Sequence, residues 1–184
     1  MAVQIPNKSK VELGVVPTHL KFVGALVPDE SGKLPRTRSG QLKVVSGMAA
    51  VCKSSPVKID NTQITLFPGT DSKDLQEMMK GMKALKLKVH LIMMVGGANP
   101  LNPKDEDAVV DMLNSGLAVA KKFKVKHVSS TSFEEWLAGK KLKGKAFDNA
   151  VKQVVKVHAR CYRESDLANS SIEAWHMEFL RGVE

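Results

Sequence analysis

The sequence predicts an α/β protein made of parallel β/α units arranged as a barrel or part of one. Strand and helix patterns alternate across at least four units, an order that implies right-handed crossovers and a parallel sheet. The segment from Leu87 to Val95 is nearly all apolar apart from Lys88 and His90, as expected of a parallel strand covered on both faces. Neither a GxGxxG fingerprint nor a GxxxxGK[ST] phosphate loop occurs, and Gly96-Gly97 after a strand is too little for a phosphate cradle. A barrel is therefore favoured over a dinucleotide-binding sheet.

Residues 1–40 form a poorly determined N-terminal segment, in which Val11 to Val16 and Leu20 to Val27 can each be a strand. Pro28 to Lys33 is a loop by composition, and Pro35 to Gly40 reads as exposed and flexible. The β/α domain proper is expected over 41–184. Leu42 to Cys52 has a helical apolar side (Leu42, Val45, Met48), and Val57 to Leu66 reads as strand until Phe67-Pro68-Gly69 breaks it. Ser72 to Lys86 is a helix with Asp71 or Ser72 as its cap, and Leu75, Met78, Met79, Met82 and Leu85 form its core stripe. Lys104 to Phe123 is the longest helix, with Pro103 and Asp105 at its start and Glu106 and Asp107 at the positive end of its dipole. Val125 to Val128 is a short strand, Phe133 to Leu137 one helical turn, and Phe147 to Tyr162 a further helix. Ser165 to Ser171 is loop, and Ile172 to Leu180 holds the closing strand.

The chain has 184 residues, 43% hydrophobic and 26% charged, enough for one domain with a true core. No apolar run is long enough to span a bilayer. The first residues lack the basic segment and long apolar core of a secretory signal. Cys52 and Cys161 make no disulfide framework, so a cytoplasmic setting is expected. Lys+Arg 28 against Asp+Glu 19 gives a net charge of +9, which permits nucleic acid, a membrane surface or a phosphorylated ligand. The densest patch, Lys140 to Lys145, lacks interleaved aromatics and Arg. Nucleic acid is thus disfavoured, and a lysine-coated surface is the simpler reading.

The last nine residues concentrate the chemistry. Trp175, Met177 and Phe179 alternate with His176, Glu178 and Leu180, so a strand there places the two sets on opposite faces. One face suits packing against helices, while the other carries a His and a Glu. A buried carboxylate is costly unless paired or bound to a metal, which makes Glu178 the first candidate for a site. His176 shares its face. His90 and His127 lie on strands and can point inward, although packing is the commoner role for each. Ser129, Ser130, Thr131 and Ser132 are expected to follow the fourth strand, at the rim where barrel sites lie. Cys161 and His158 stand three apart on one helix with no orienting acid, a poor nucleophile pair.

Several of these segments resemble the sugar isomerase/epimerase superfamily with the xylose-isomerase-like TIM barrel. Leu87 to Val95 looks like its third strand. Asn102-Pro103-Lys104-Asp105-Glu106-Asp107 resembles the loop and acidic helix start that follow. Ala118 to Val128 is similar to its fourth helix-to-strand passage. His176-Met177-Glu178-Phe179-Leu180-Arg181-Gly182-Val183-Glu184 resembles its fifth strand. The resemblance implies Glu178 as a metal ligand and catalytic group. It places Glu184 on substrate hydroxyls six residues later and Arg181 where an Asn or Arg is common. It further implies a divalent Mn²⁺ or Mg²⁺, a sugar or sugar phosphate as substrate, and metal-assisted proton transfer beside the sugar carbonyl. Two departures stand out: Lys86 and Lys124 occupy helix ends where the family often has Gly, and the ligands from later strands have no counterpart. The expectation is a half-barrel form, able to dimerise; the alternative is a non-catalytic remnant acting as a structural or binding protein.

Overall fold

The computed structural model describes residues 14–15, 35–131 and 142–176. Within them run β1 (Gly14–Val15), α1 (Arg38–Ser54), β2 (Asn61–Leu66), α2 (Gln76–Ala84), β3 (Lys88–Met94), α3 (Glu106–Phe123), β4 (His127–Thr131), α4 (Lys145–Glu164) and β5 (Glu173–His176). The strands form one sheet in the order β1-β2-β3-β4-β5, and every pairing is parallel. Sequential order with parallel pairing is barrel-like winding, not the reversed order of a doubly wound sheet. The expected fold class is thus the observed one.

One face of the sheet carries the core. Ile64, Leu66, Leu91, Met93 and Val128 share a single cluster with Val44 and Met48 of α1, Met78 and Met82 of α2, Leu113 and Leu117 of α3, and Val157 of α4. In β2 burial alternates strictly, with Thr62, Ile64 and Leu66 inward and Asn61, Gln63 and Thr65 less covered. That period of two shows β2 to be covered by helices on one side.

Where elements begin and end differs from the sequence pattern for a consistent reason: terminal hydrogen bonds consume residues that looked like strand. The Leu87 amide donates to the Met82 carbonyl at 3.0 Å and the Lys86 amide to Lys83 at 3.0 Å, a paired closure that ends α2. Val125 likewise donates to Ala120 at 2.9 Å and Lys124 to Lys121 at 3.1 Å. Strands therefore start at Lys88 and His127. β4 then runs on to Thr131, so Ser129, Ser130 and Thr131 lie within the strand rather than after it. Val57 is exposed, and its carbonyl and amide both bond the Ser55 hydroxyl, which keeps it out of β2.

The segment expected to be loose around residues 35–40 instead nucleates α1. The Thr37 hydroxyl accepts from the Gly40 amide at 3.2 Å, and a Cβ at Gly40 would collide with Pro35 at 2.4 Å. Gln41, only 2% exposed, does more. Its Oε1 accepts from the amides of Glu77 (2.9 Å) and Met78 (3.1 Å), and its Nε2 donates to the Arg36 carbonyl at 2.9 Å. A side chain of α1 thereby satisfies first-turn donors of α2 that have no partner within their own helix. Asp71 caps the short turn Lys73–Leu75 ahead of it, as its residue type predicts.

Lys86 (φ 60) and Lys124 (φ 55) are left-handed. A side chain there costs on the order of 1 kcal/mol relative to glycine. Lys86→Gly and Lys124→Gly should each raise the melting temperature by about 2–4 °C, the shift that 1 kcal/mol produces in a chain of this size; calorimetry of the two variants checks it. Gln41→Met should lower stability by about 3 kcal/mol, since it leaves buried amides without an acceptor, and denaturant titration reads that loss.

Candidate functional site

The sheet face turned away from the helices carries several polar residues beside Ile92 and, by register, Trp175. Register places Gln63, His90, His127 and Glu173 in one row across β2 to β5, with Thr65, Ile92 and Ser129 in the next. Alternate residues of a strand share a face, so His90 and Ser129 are diagonal neighbours on adjacent strands, a separation of about 7–8 Å between backbones. His127 Nδ1 lies 3.4 Å from Glu173 Oε2, with the His127 side chain 42% exposed. That contact is an ion pair only when the ring is protonated, and its exposure keeps it weak.

Two atoms on this face have no partner at all. His90 Nε2 and Ser129 Oγ are both buried and neither makes a hydrogen bond. Ser129 is 0% exposed. An unsatisfied buried polar group costs about 1–3 kcal/mol, and folded proteins leave few of them. Two such groups stand on adjacent strands, on the face that no described helix covers. Burial, followed by the neighbouring charge of His127, holds the His90 ring below the usual histidine range. It is thus a neutral imidazole at pH 7, with one nitrogen unengaged.

The residues singled out from sequence fall into three groups. His90, His127 and Ser129 are brought together. His176 ends β5 level with Ser130, in the row that faces the helices, and Trp175 stands level with Ser129, so the register gives the two sets the faces opposite to those expected. Glu178, Arg181, Glu184 and Ser132 lie outside the described residues, as does the turn expected over Phe133 to Leu137. Among the described residues no three His, Cys, Asp or Glu groups converge as a metal site. His90, His127 and Glu173 therefore do not by themselves fit a divalent cation.

Sequence reasoning missed the partnership of Ser130 with His158. Ser130 Oγ lies 3.0 Å from His158 Nε2, and His158 Nδ1 lies 2.8 Å from the Val154 carbonyl. A carbonyl only accepts, so Nδ1 carries the proton and Nε2 accepts from the hydroxyl. With Ser130 2% exposed on the helix-facing side, the pair ties α4 to β4. Cys161 is no rival for His158: burial pushes its thiol up to about 11, which removes it as a nucleophile.

A groove of about 480 Å³ opens on the helix side, between the loop after β2 and α3, with Phe67, Pro68, Met93, Met112, Gly116 and Lys122 among its walls. Two of its lining side chains bond each other and a third holds a backbone amide. Lys122 Nζ donates to Ser72 Oγ at 2.6 Å, and the Asp71 carboxylate accepts from the Asp74 amide.

Comparison with known proteins bears on the fold. No protein-family model and no curated protein matches the sequence. Among solved structures, D-allulose 3-epimerase from Methylomonas sp., crystallised with D-allulose, superposes with a TM-score of 0.59 at 13% identity. The match covers 90% of this chain and 50% of that one. The chain spans about half the length of the epimerase, and its fold is that of part of a TIM barrel.

His90 has a lowered folded pKa, so the unfolded chain binds its proton first as pH falls. Its contribution is fully present above about pH 6.5 and is lost below that value. The difference in melting temperature between pH 8 and pH 5 should shrink in His90→Gln. Ser129→Ala should leave stability unchanged or slightly higher at any pH, because the hydroxyl it removes satisfies nothing. A drop of 2 kcal/mol or more in urea would show that the hydroxyl has a structural partner.

Proposed function

We propose that the chain is a sugar isomerase/epimerase-type β/α protein that binds a ketose on the inner face of its sheet. The observation that carries this reading is the pair of unpartnered buried atoms, His90 Nε2 and Ser129 Oγ, on a fold shared with an epimerase. A sugar supplies hydroxyls at the spacing such a pair requires, and each hydroxyl can donate and accept. Ser129 orients one hydroxyl. The unpartnered ring nitrogen of His90 forms a hydrogen bond with another. Glu173 and His127 extend the polar row toward solvent and offer further contacts.

The proposed reaction class is proton transfer beside the sugar carbonyl. Its metal-assisted form rests on Glu178 as ligand and catalytic group, with Glu184 and Arg181 on substrate hydroxyls, as the resemblance of the closing strand implies. Among the described residues no group of His, Cys, Asp and Glu makes a cation site by itself. The unpartnered pair also supports a second reading, a sugar-binding protein without catalysis.

Incubation with D-allulose in D₂O, with and without Mn²⁺, separates the two by NMR. The enzyme reading expects loss of the proton next to the carbonyl, reduced at least tenfold in His90→Asn and in Glu178→Gln. Binding without exchange supports the second reading. Absence of both sinks the proposal. Mn²⁺ at a hundred times its dissociation constant should stabilise the protein by about 2.7 kcal/mol; an unchanged melting curve removes the metal from the scheme.

A further inference from the structure

Parallel winding brings every helix-to-strand turn to one end of the sheet, and charge is sorted between the two ends. At the helix-to-strand end, residues 53–60, 83–88 and 121–126 hold nine lysines and one carboxylate, Asp60. At the opposite end, residues 71–77, 102–107 and 143–148 hold four lysines and seven carboxylates. Cations near a helix C-terminus favour its dipole, which accounts for Lys53, Lys83 and Lys121. It does not account for Lys86 and Lys124, which stand past the last turn in left-handed backbone (φ 60 and φ 55), where glycine is less strained. Lys53, Lys83, Lys86, Lys124 and Lys126 are all exposed, and none of the five makes an ion pair among the described residues. Lys58 is neutralised by Asp60, Lys121 donates to the Ser165 carbonyl, and Lys122 turns to Ser72. One apolar side chain stands in the same layer. Val57 is 52% exposed, beside exposed Pro56, and the Ser55 hydroxyl bonds both its amide and its carbonyl, which holds it out of β2. The other carboxylates of this end, Glu164, Asp166 and Glu173, are exposed at the turn from α4 to β5, and the basic surface stops there.

We infer that this end of the molecule is a peripheral docking surface for a bilayer that carries anionic lipid. The three turns lie in one layer at the base of the sheet, so the cations of successive β/α units meet a plane together. A lysine is a point charge on a flexible stem, attracted to anionic headgroups without any fixed geometry. Val57 adds an apolar tip at the depth of the headgroup boundary. A nucleic acid fits less well, because these turns hold no Arg to read bases and no exposed aromatic to stack them. A protein partner also fits less well, since protein interfaces are enriched in aromatic residues and Arg and depleted in Lys. No helix among the described residues is long and apolar enough to cross a membrane, so the attachment is superficial, reversible and sensitive to salt. Such docking is independent of any sugar bound on the inner sheet face.

Co-sedimentation of the intact protein with vesicles tests this inference. The protein should pellet with phosphatidylcholine vesicles containing about 30% phosphatidylserine and not with phosphatidylcholine alone, and added salt should release it. Lys86→Gly/Lys124→Gly removes two cations and relieves both left-handed positions. Its affinity for the anionic vesicles should therefore fall roughly tenfold while its melting temperature rises, so lost folding cannot explain the loss. Val57→Ser should weaken binding as well. Lys104→Gln/Lys143→Gln removes the same charge from the opposite end and should bind as the parent does. Circular dichroism confirms that each variant folds. No pelleting with the anionic vesicles, unchanged binding in Lys86→Gly/Lys124→Gly or in Val57→Ser, or an equal loss in Lys104→Gln/Lys143→Gln overturns the inference. Tighter binding to a short DNA or RNA duplex than to the vesicles, abolished by Lys86→Gly/Lys124→Gly, would assign this end to nucleic acid and overturns it too.

Discussion

Everything in this molecule follows from burying one side of a parallel sheet. The rows of Ile64, Leu91 and Val128 and of Leu66 and Met93 accept four helices on a single face. Each strand must then place its remaining side chains on the other face, where no described helix covers them. That division leaves the inner face free to carry Gln63, Thr65, His90, His127 and Glu173, which a two-sided core would not tolerate without partners. The polar residues of that face are thus a product of the topology.

Seen this way, the two unpartnered atoms are informative because they break the rule that the rest of the structure keeps. Asn102, Asp71, Thr37 and Gln41 each satisfy backbone donors at a helix start. Ser130 and His158 satisfy each other. Against that background of complete pairing, His90 Nε2 and Ser129 Oγ are conspicuous. They stand in adjacent rows, His90 in the N-terminal half of β3 and Ser129 at the middle of β4, whereas barrel enzymes concentrate catalysis at the C-terminal rim. The proposed scheme draws its metal ligand from Glu178, which lies outside the described residues.

Local periodicity made the layered order legible. The apolar run around Leu91 and the stripe of Met78, Met79 and Met82 announced β3 and α2, and the acidic start of α3 is where its residue types place it. The left-handed lysines were also foreseeable, since a helix must turn sharply before each strand and no glycine stands at 86 or 124. What local pattern could not show is any bond across the chain. Gln41 caps a helix 36 residues away, and His158 meets Ser130 across 28. Neither spacing leaves a trace in sequence. Ser129 was visible as one of a run of hydroxyl residues, but its isolation depends on three-dimensional burial. The strand ends slipped because Leu87 and Val125 bond backward into helices, a tertiary choice that composition does not encode.

The reach of Gln41 also governs how the molecule breathes. Because its amide group holds both Arg36 and the opening turn of α2, the two helices cannot loosen separately. Hydrogen exchange at Glu77 and Met78 is then timed by the departure of α1 rather than by fraying of α2, so this end of the sheet opens as one cooperative unit.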